Sequence, residues 1–256
     1  MVKTLATITA LITGGASGIG KAIAQTLAAN KVEVVISDIN HTAGAQLAVE
    51  LEGHFIPSDL CDPAAGRALV ADASAICGGI DILINNAGMQ YICAVEDFPE
   101  GQWARMIQLM LISPFSLIRA VWPHMKGRSW GRVVNIGSIH SHVASVNKSA
   151  YVSAKHGLLG LTKSAALEAG ELGITVNAVC PAYVKTPLVE SQIADQARTL
   201  GIDQSRVVEE VMLGSAAIKR LIDPTEVAEL VAYLCSDKAS AITGSAFDID
   251  LGWVAR

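Results

Sequence analysis

The feature that most narrows what this 256-residue chain can fold into lies near its N-terminus. An apolar, Thr-rich run over residues 5–12 leads straight into Thr13-Gly14-Gly15-Ala16-Ser17-Gly18-Ile19-Gly20 and then into a helical stretch, residues 21–29. A β-prone run, a glycine cluster and a helical pattern in that order read as strand, tight loop, helix. Glycines let the backbone turn sharply and come close to a pyrophosphate, whose charge is met by the amides of the helix N-terminus. A second apolar run, residues 32–37, ends at Asp38, eighteen residues after Gly20, where a carboxylate can accept hydrogen bonds from an adenosine ribose. Gly14, Ser17, Gly18, Ile19 and Gly20 are therefore candidates for holding a dinucleotide, with Asp38 at its ribose. A ribose 2′-phosphate would be repelled by Asp38, and Ala16, Ser17 and Ile39 offer no cation to receive one, so the expected cofactor is NAD.

Further short apolar runs at 80–84, 132–136 and 175–179 alternate with helical stretches, which implies βαβ units and a doubly wound parallel sheet flanked by helices. No Pro-, Ser- or charge-rich linker divides the chain, so residues 1–256 read as one α/β domain. A net charge of −5 with scattered Lys and Arg suggests neither a nucleic-acid groove nor an anionic membrane surface, and leaves a small molecule as the expected partner. Five cysteines without a CxxC pair, and no secretory segment, read as reduced thiols in a cytoplasmic protein. Six histidines without ligand spacing give no reason to expect a catalytic metal. The most apolar stretch, residues 106–121, carries Pro114 with Arg105 and Arg119 close by, and is not expected to cross a membrane.

Chemistry is carried by Tyr151 and Lys155, four residues apart, with Ser138 thirteen residues before the tyrosine. On a helix the pair shares one face, one turn apart, so the ammonium can favour the phenolate. A tyrosine that shuttles a proton near neutrality needs that help and a hydrogen-bond donor such as Ser138, which makes the trio a candidate site for oxidising a secondary alcohol or reducing a ketone.

Taken in order, Thr13-Gly14-x-x-x-Gly18-x-Gly20, Asn85-Asn86-Ala87-Gly88, Ser138, Tyr151-x-x-x-Lys155 and Pro181-x-x-x-x-Thr186 resemble the short-chain dehydrogenase/reductase family over essentially the whole chain. The resemblance implies a Rossmann-type sheet and a homotetramer in which the apolar 106–121 helix packs on its copy. It also implies that Asp59 contacts the adenine, that Asn86, Ala87 and Gly88 line its ribose, that Lys155 holds the nicotinamide ribose, and that Val184 and Thr186 hold the carboxamide. One departure is Met110, which stands where the family has a catalytic asparagine; Pro114, four residues on, lacks an amide hydrogen and would leave the Met110 carbonyl free to bind a relay water instead.

Gln90, His140, Lys148, Gln192 and Trp253 supply hydrogen-bond donors around that centre and suit a small carboxylate. Together they resemble the branch of the family that acts on 3-hydroxybutyrate, with the (R) hand expected. Residues 188–220 are longer and more polar than a simple connection and read as a two-helix substrate lid. Ala182 and Leu251 replace glycines usual in the family, which points to an altered acid chain length. A same-fold enzyme for a sugar, steroid or acyl thioester, and a nucleotide-binding protein without turnover, are the competing readings.

Overall fold

The computed structural model describes residues 8–255, so positions 5–7 of the expected first strand lie outside the described residues. Seven strands form one sheet: β1 (Thr9–Thr13), β2 (Glu33–Asp38), β3 (His54–Pro57), β4 (Ile82–Asn85), β5 (Gly131–Ile136), β6 (Ile174–Pro181) and β7 (Ala246–Ile249). Their spatial order is β3-β2-β1-β4-β5-β6-β7 and every pairing is parallel. The chain leaves β1 toward one edge and returns at β4 on its other side. That reversal opens a crevice at the C-terminal ends of β1 and β4, where doubly wound sheets bind ligands.

Every residue of β1, β4, β5 and β6 is buried. Strands covered on both faces have no polar side to show, which is why they appear in the sequence as unbroken apolar runs. Helices α1 (Gly18–Ala29), α2 (His41–Glu50) and α9 (Pro224–Cys235) close one face through Ile23, Leu27, Leu47, Val227 and Val231. Helices α3 (Ala65–Cys77), α5 (Ser113–Arg128) and α6 (Ser149–Ala169) close the other through Leu69, Leu117, Val121 and Ala166. The result is the expected three-layer α/β architecture.

The helix that leads to Met110 starts at Glu100. Helix α4 (Glu100–Ile107) passes through a π turn (Gln108–Ile112) into α5 without a break. Pro114 sits at the start of α5, and the ladder upstream shifts register, the Ser113 amide donating to the Gln108 carbonyl. A five-residue turn is how a helix accommodates a residue that cannot donate. The continuous helix of 29 residues is long and apolar enough to cross a membrane by length and composition alone. Met106, Met110, Leu117, Val121 and Met125 are nonetheless buried in the protein interior, while Trp103, Ile112 and Phe115 remain exposed on the outer side.

Residues 188–220 take in all but the first residue of α7 (Pro187–Leu200), then α8 (Gln204–Arg206) and a second π turn (Val207–Met212). Val189, Val207 and Met212 form a small core of their own against Tyr183. The end of this segment is tied to the C-terminal turn: the Ala217 and Ile218 amides both donate to the Leu251 carbonyl, at 2.8 and 3.2 Å. Leu251 has φ +58°, in the left-handed region that favours glycine.

Candidate active site

The glycine loop closes against the loop that follows β4. Gly14 has φ +61°, and a Cβ there would come within 2.8 Å of the Ala87 Cα, so glycine is required both for the turn and for the close approach. The Asn86 side chain donates to the carbonyls of Thr13 and Gly14, each at 2.9 Å, while the Thr13 hydroxyl accepts from the Asn86 and Ala87 amides at 3.0 and 3.1 Å. Asn86 therefore positions the glycine loop, a role beyond that implied for it. Asp38 is engaged similarly, accepting from the Ala16 and Asn40 amides at 3.0 and 2.9 Å.

A second chain of polar groups fixes α6 to the sheet. Asn85 donates to Asn135, Asn135 to Thr162, and Thr162 to the Leu158 carbonyl, each at 2.8 Å and all buried. Buried polar groups must be paired, and this pairing has the consequence of setting the height of α6 against β5. One turn of that helix carries Tyr151 and Lys155, with the Lys155 Nζ 5.6 Å from the centre of the Tyr151 ring. Lys155 is buried and donates to the Ile136 carbonyl at 2.7 Å. Ser138 caps the turn at 139–141, its hydroxyl accepting from the His140 amide at 3.2 Å and its own amide donating to the Ser141 hydroxyl.

The electrostatics of the trio differ from the simple expectation. Burial pushes the Tyr151 phenol up to about 12, with the Ser138 hydroxyl pulling the other way. Burial also lowers Lys155 to about 8. Within the protein alone, desolvation thus outweighs the help that the neighbouring cation was expected to give.

Beside Tyr151 sits the edge of the His140 ring, 6.0 Å between centres. His140 is held neutral: burial and then the nearby Lys148 lower it to about 4. Lys148 is itself buried, its Nζ 3.4 Å from His140 Nε2 and 5.6 Å from the centre of the Tyr183 ring. Among the described residues no carboxylate lies within 4.0 Å of it. A buried ammonium with only an imidazole and an aromatic face for company is a position that favours an incoming anion.

One continuous cleft brings the candidates together. Gly14, Ser17, Gly18, Ile19, Asp38, Asp59, Asn86, Ala87 and Gly88 line it together with Gln90, Ser138, His140, Lys148, Tyr151, Lys155, Val184, Thr186 and Gln192, and Thr186 packs directly against Gly18. Asp59 accepts from the Cys61 amide at 2.9 Å, with Arg105 nearby at 3.7 Å. Two candidates stand back from the cleft. Gly20 does not line the cleft; a Cβ there would collide with the Gly14 carbonyl, so it serves loop packing. Trp253 does not line it either. Its indole donates to the Met212 carbonyl at 3.2 Å, leaving the ring to stand behind His140, 6.4 Å between centres.

Met110 is buried inside the π turn, and its sulfur lies 3.7 Å from the Cβ position of Gly88. Ala182 lines the cleft, its amide donating to Ile249 at 3.0 Å. Sequence reasoning missed Tyr183, although it stands between Pro181 and Val184 in a run already singled out. It missed the π turn as well, for which Pro114 was the available signal.

The chain is similar over nearly its whole length to known proteins. A family model described as enoyl-(acyl carrier protein) reductase matches residues 14–254. A D-beta-hydroxybutyrate dehydrogenase from Rhizobium meliloti is 47% identical over 98% of this chain and 100% of its own length. One from Cupriavidus necator is 38% identical over 97% of this chain and 98% of its own. Among solved structures, a single-substitution variant of actinorhodin polyketide ketoreductase with NADPH superposes with a TM-score of 0.92 and 31% identity, covering 96% of this chain and 97% of that one.

Proposed function

The chain belongs to the short-chain dehydrogenase/reductase family and is an oxidoreductase that uses a nicotinamide cofactor, and from that premise we propose that it interconverts (R)-3-hydroxybutyrate and acetoacetate with NAD. The observation that carries the substrate is Lys148: a buried cation without a carboxylate, next to a neutral His140 whose ring abuts Tyr151. A carboxylate bound by Lys148, with Gln90 and Gln192 beside it, leaves the 3-hydroxyl free to reach Tyr151 and Ser138. The D-beta-hydroxybutyrate dehydrogenases to which the chain is similar support the same assignment.

The residues divide the work as follows. Lys148 and its neighbours fix the acid end and so the face of the carbinol carbon, which is catalysis by positioning. Ser138 donates a hydrogen bond to the substrate oxygen. Tyr151 takes the hydroxyl proton in oxidation and returns it in reduction. Lys155 keeps a positive charge beside the phenol to oppose the upward push of burial. When bound, the oxidised nicotinamide supplies the hydride acceptor and a second positive charge in the cleft. The glycine loop with Asp38, Asp59 and Asn86 to Gly88 holds the adenosine and pyrophosphate, and Val184 and Thr186 hold the carboxamide. Asp38 supports NAD over NADP, since a 2′-phosphate would meet its carboxylate.

Residues 188–220 act as the lid of the single domain, with Gln192 on its inner side. In this reading the enzyme is a cytoplasmic homotetramer without a catalytic metal, and the exposed Trp103, Ile112 and Phe115 are covered by a second copy. Reduced cofactor should form from (R)-3-hydroxybutyrate and NAD much faster than from the (S) acid or with NADP. Equal rates with both hands, or a preference for NADP, would contradict the proposal.

A further inference from the structure

Behind the cleft, the last two strands carry donors that hydride and proton transfer do not use. Cys180 on β6 and Asp248 on β7 are register partners, so their side chains stand on the same face of the sheet. His142, just after the 139–141 turn, reaches the same place, its Nε2 3.1 Å from Asp248 Oδ1. One ligand atom from each of His142, Cys180 and Asp248 lies within 4.8 Å of the others. Burial is graded across the three. Cys180 is fully buried, whereas the His142 and Asp248 side chains are 30% and 36% exposed. The sulfur forms a floor, and the imidazole and carboxylate form a mouth open to solvent.

One sulfur, one imidazole and one carboxylate form the mixed set that suits zinc, whereas magnesium and calcium take oxygen. Zinc bonds of about 2.0–2.3 Å put tetrahedral ligand atoms roughly 3.3–3.8 Å apart. At 3.1 Å, His142 and Asp248 stand slightly inside that spacing and have to open by about 0.2 Å, and the sulfur has to close by at most about 1.5 Å. We propose that His142 Nε2, Cys180 Sγ and one Asp248 carboxylate oxygen bind a single Zn2+ ion, with a fourth position open to water. On binding, the S–H bond breaks and the S–Zn bond forms; the thiol proton goes to solvent and nothing is oxidised or reduced. The ion fastens the segment after Ser138 to β6 and β7, so it stabilises the turn that presents the serine.

A second group, Glu33, His54 and Cys77, has comparable atom spacing and serves as an internal control. Its carboxylate is already shared, with Oε1 3.1 Å from His54 and Oε2 accepting from the Thr9 hydroxyl at 3.3 Å. Its thiol stands at a helix end rather than in a paired strand.

Co2+ is the optical probe, added to the reduced, metal-free enzyme. One equivalent should produce a near-ultraviolet thiolate-to-cobalt band together with the visible bands of a four-coordinate ion, and Zn2+ should remove them. The bands should disappear in Cys180→Ser and in His142→Ala and remain in Cys77→Ser. His142 is partly exposed, so its alanine variant separates loss of the site from loss of the fold, with NADH binding as the check on folding. Zn2+ should raise the melting temperature of the unmodified enzyme and leave that of His142→Ala unchanged. Absence of the thiolate band, its survival in His142→Ala, or its loss in Cys77→Ser overturns the proposal.

Discussion

At Tyr151, Lys155, His140 and Lys148 the protein makes burial act against charge, and the balance at each residue has a measurable consequence. His140 binds its proton near 6.5 in an unfolded chain and only near 4 in the fold. Between those values the unfolded chain takes up a proton that the folded one does not, so stability is full above 6.5 and is lost as the pH falls toward 4. Thermal melts of His140→Gln should show a smaller loss between pH 7 and pH 5 than the unmodified enzyme; an equal loss would assign the acid limb to another group. Asn86 offers a second test. Its alanine variant leaves the part-buried Thr13 and Gly14 carbonyls without a side-chain donor, at about 1–3 kcal/mol, so NADH titrated by fluorescence should bind roughly 5- to 150-fold more weakly. Unchanged affinity would mean that the loop holds its shape without Asn86. Residues whose chemistry is written in short spacings, such as Tyr151 with Lys155 or the glycine loop, were legible in the sequence. Partnerships across elements were not: the Asn86 bond to the glycine loop spans more than seventy residues, and the Trp253 bond to Met212 about forty.

Among the elements, the helix from Glu100 to Arg128 holds the least expected feature. Its π turn lies at Met110 and ends just before Pro114, where the α ladder lacks a donor. We assign to the Met110 carbonyl the relay function for which the family uses an asparagine. Pro114→Ala restores an amide hydrogen to compete for that carbonyl, so turnover should fall severalfold, while Met110→Asn should change it little. If Pro114→Ala turns over normally and Met110→Asn is strongly faster, the carbonyl has no such role. Central strands were readable because burial on both faces makes them continuous apolar runs. The edge strands β3 and β7 were not, since each has four residues and most of them are only partly buried, a pattern too short and too mixed to stand out from a loop.

At the scale of the whole molecule, the doubly wound sheet, the cofactor end of the cleft and the acid end follow from one arrangement: strands that finish together at the crevice beside β1 and β4. The outer side of the long helix adds an association prediction. Phe115 is 50% exposed and Ile112 44%, with Trp103 nearby, so light scattering should give a mass four times that of the chain, and Phe115→Glu should reduce it. A monomer in the unmodified protein would mean that this face has no second copy to cover it. The central claim is that Lys148 receives a substrate carboxylate beside the catalytic tyrosine. Its most direct test is NAD-linked oxidation of (R)-3-hydroxybutyrate by the unmodified enzyme and by Lys148→Ala, with NADH affinity measured on both. Losing a charge-assisted hydrogen bond worth about 1.5–3 kcal/mol should lower kcat/KM by roughly 10- to 150-fold, chiefly through KM, with NADH binding unchanged. Robust turnover that is indifferent to Lys148→Ala, or no turnover by an unmodified enzyme that binds NADH, would contradict it.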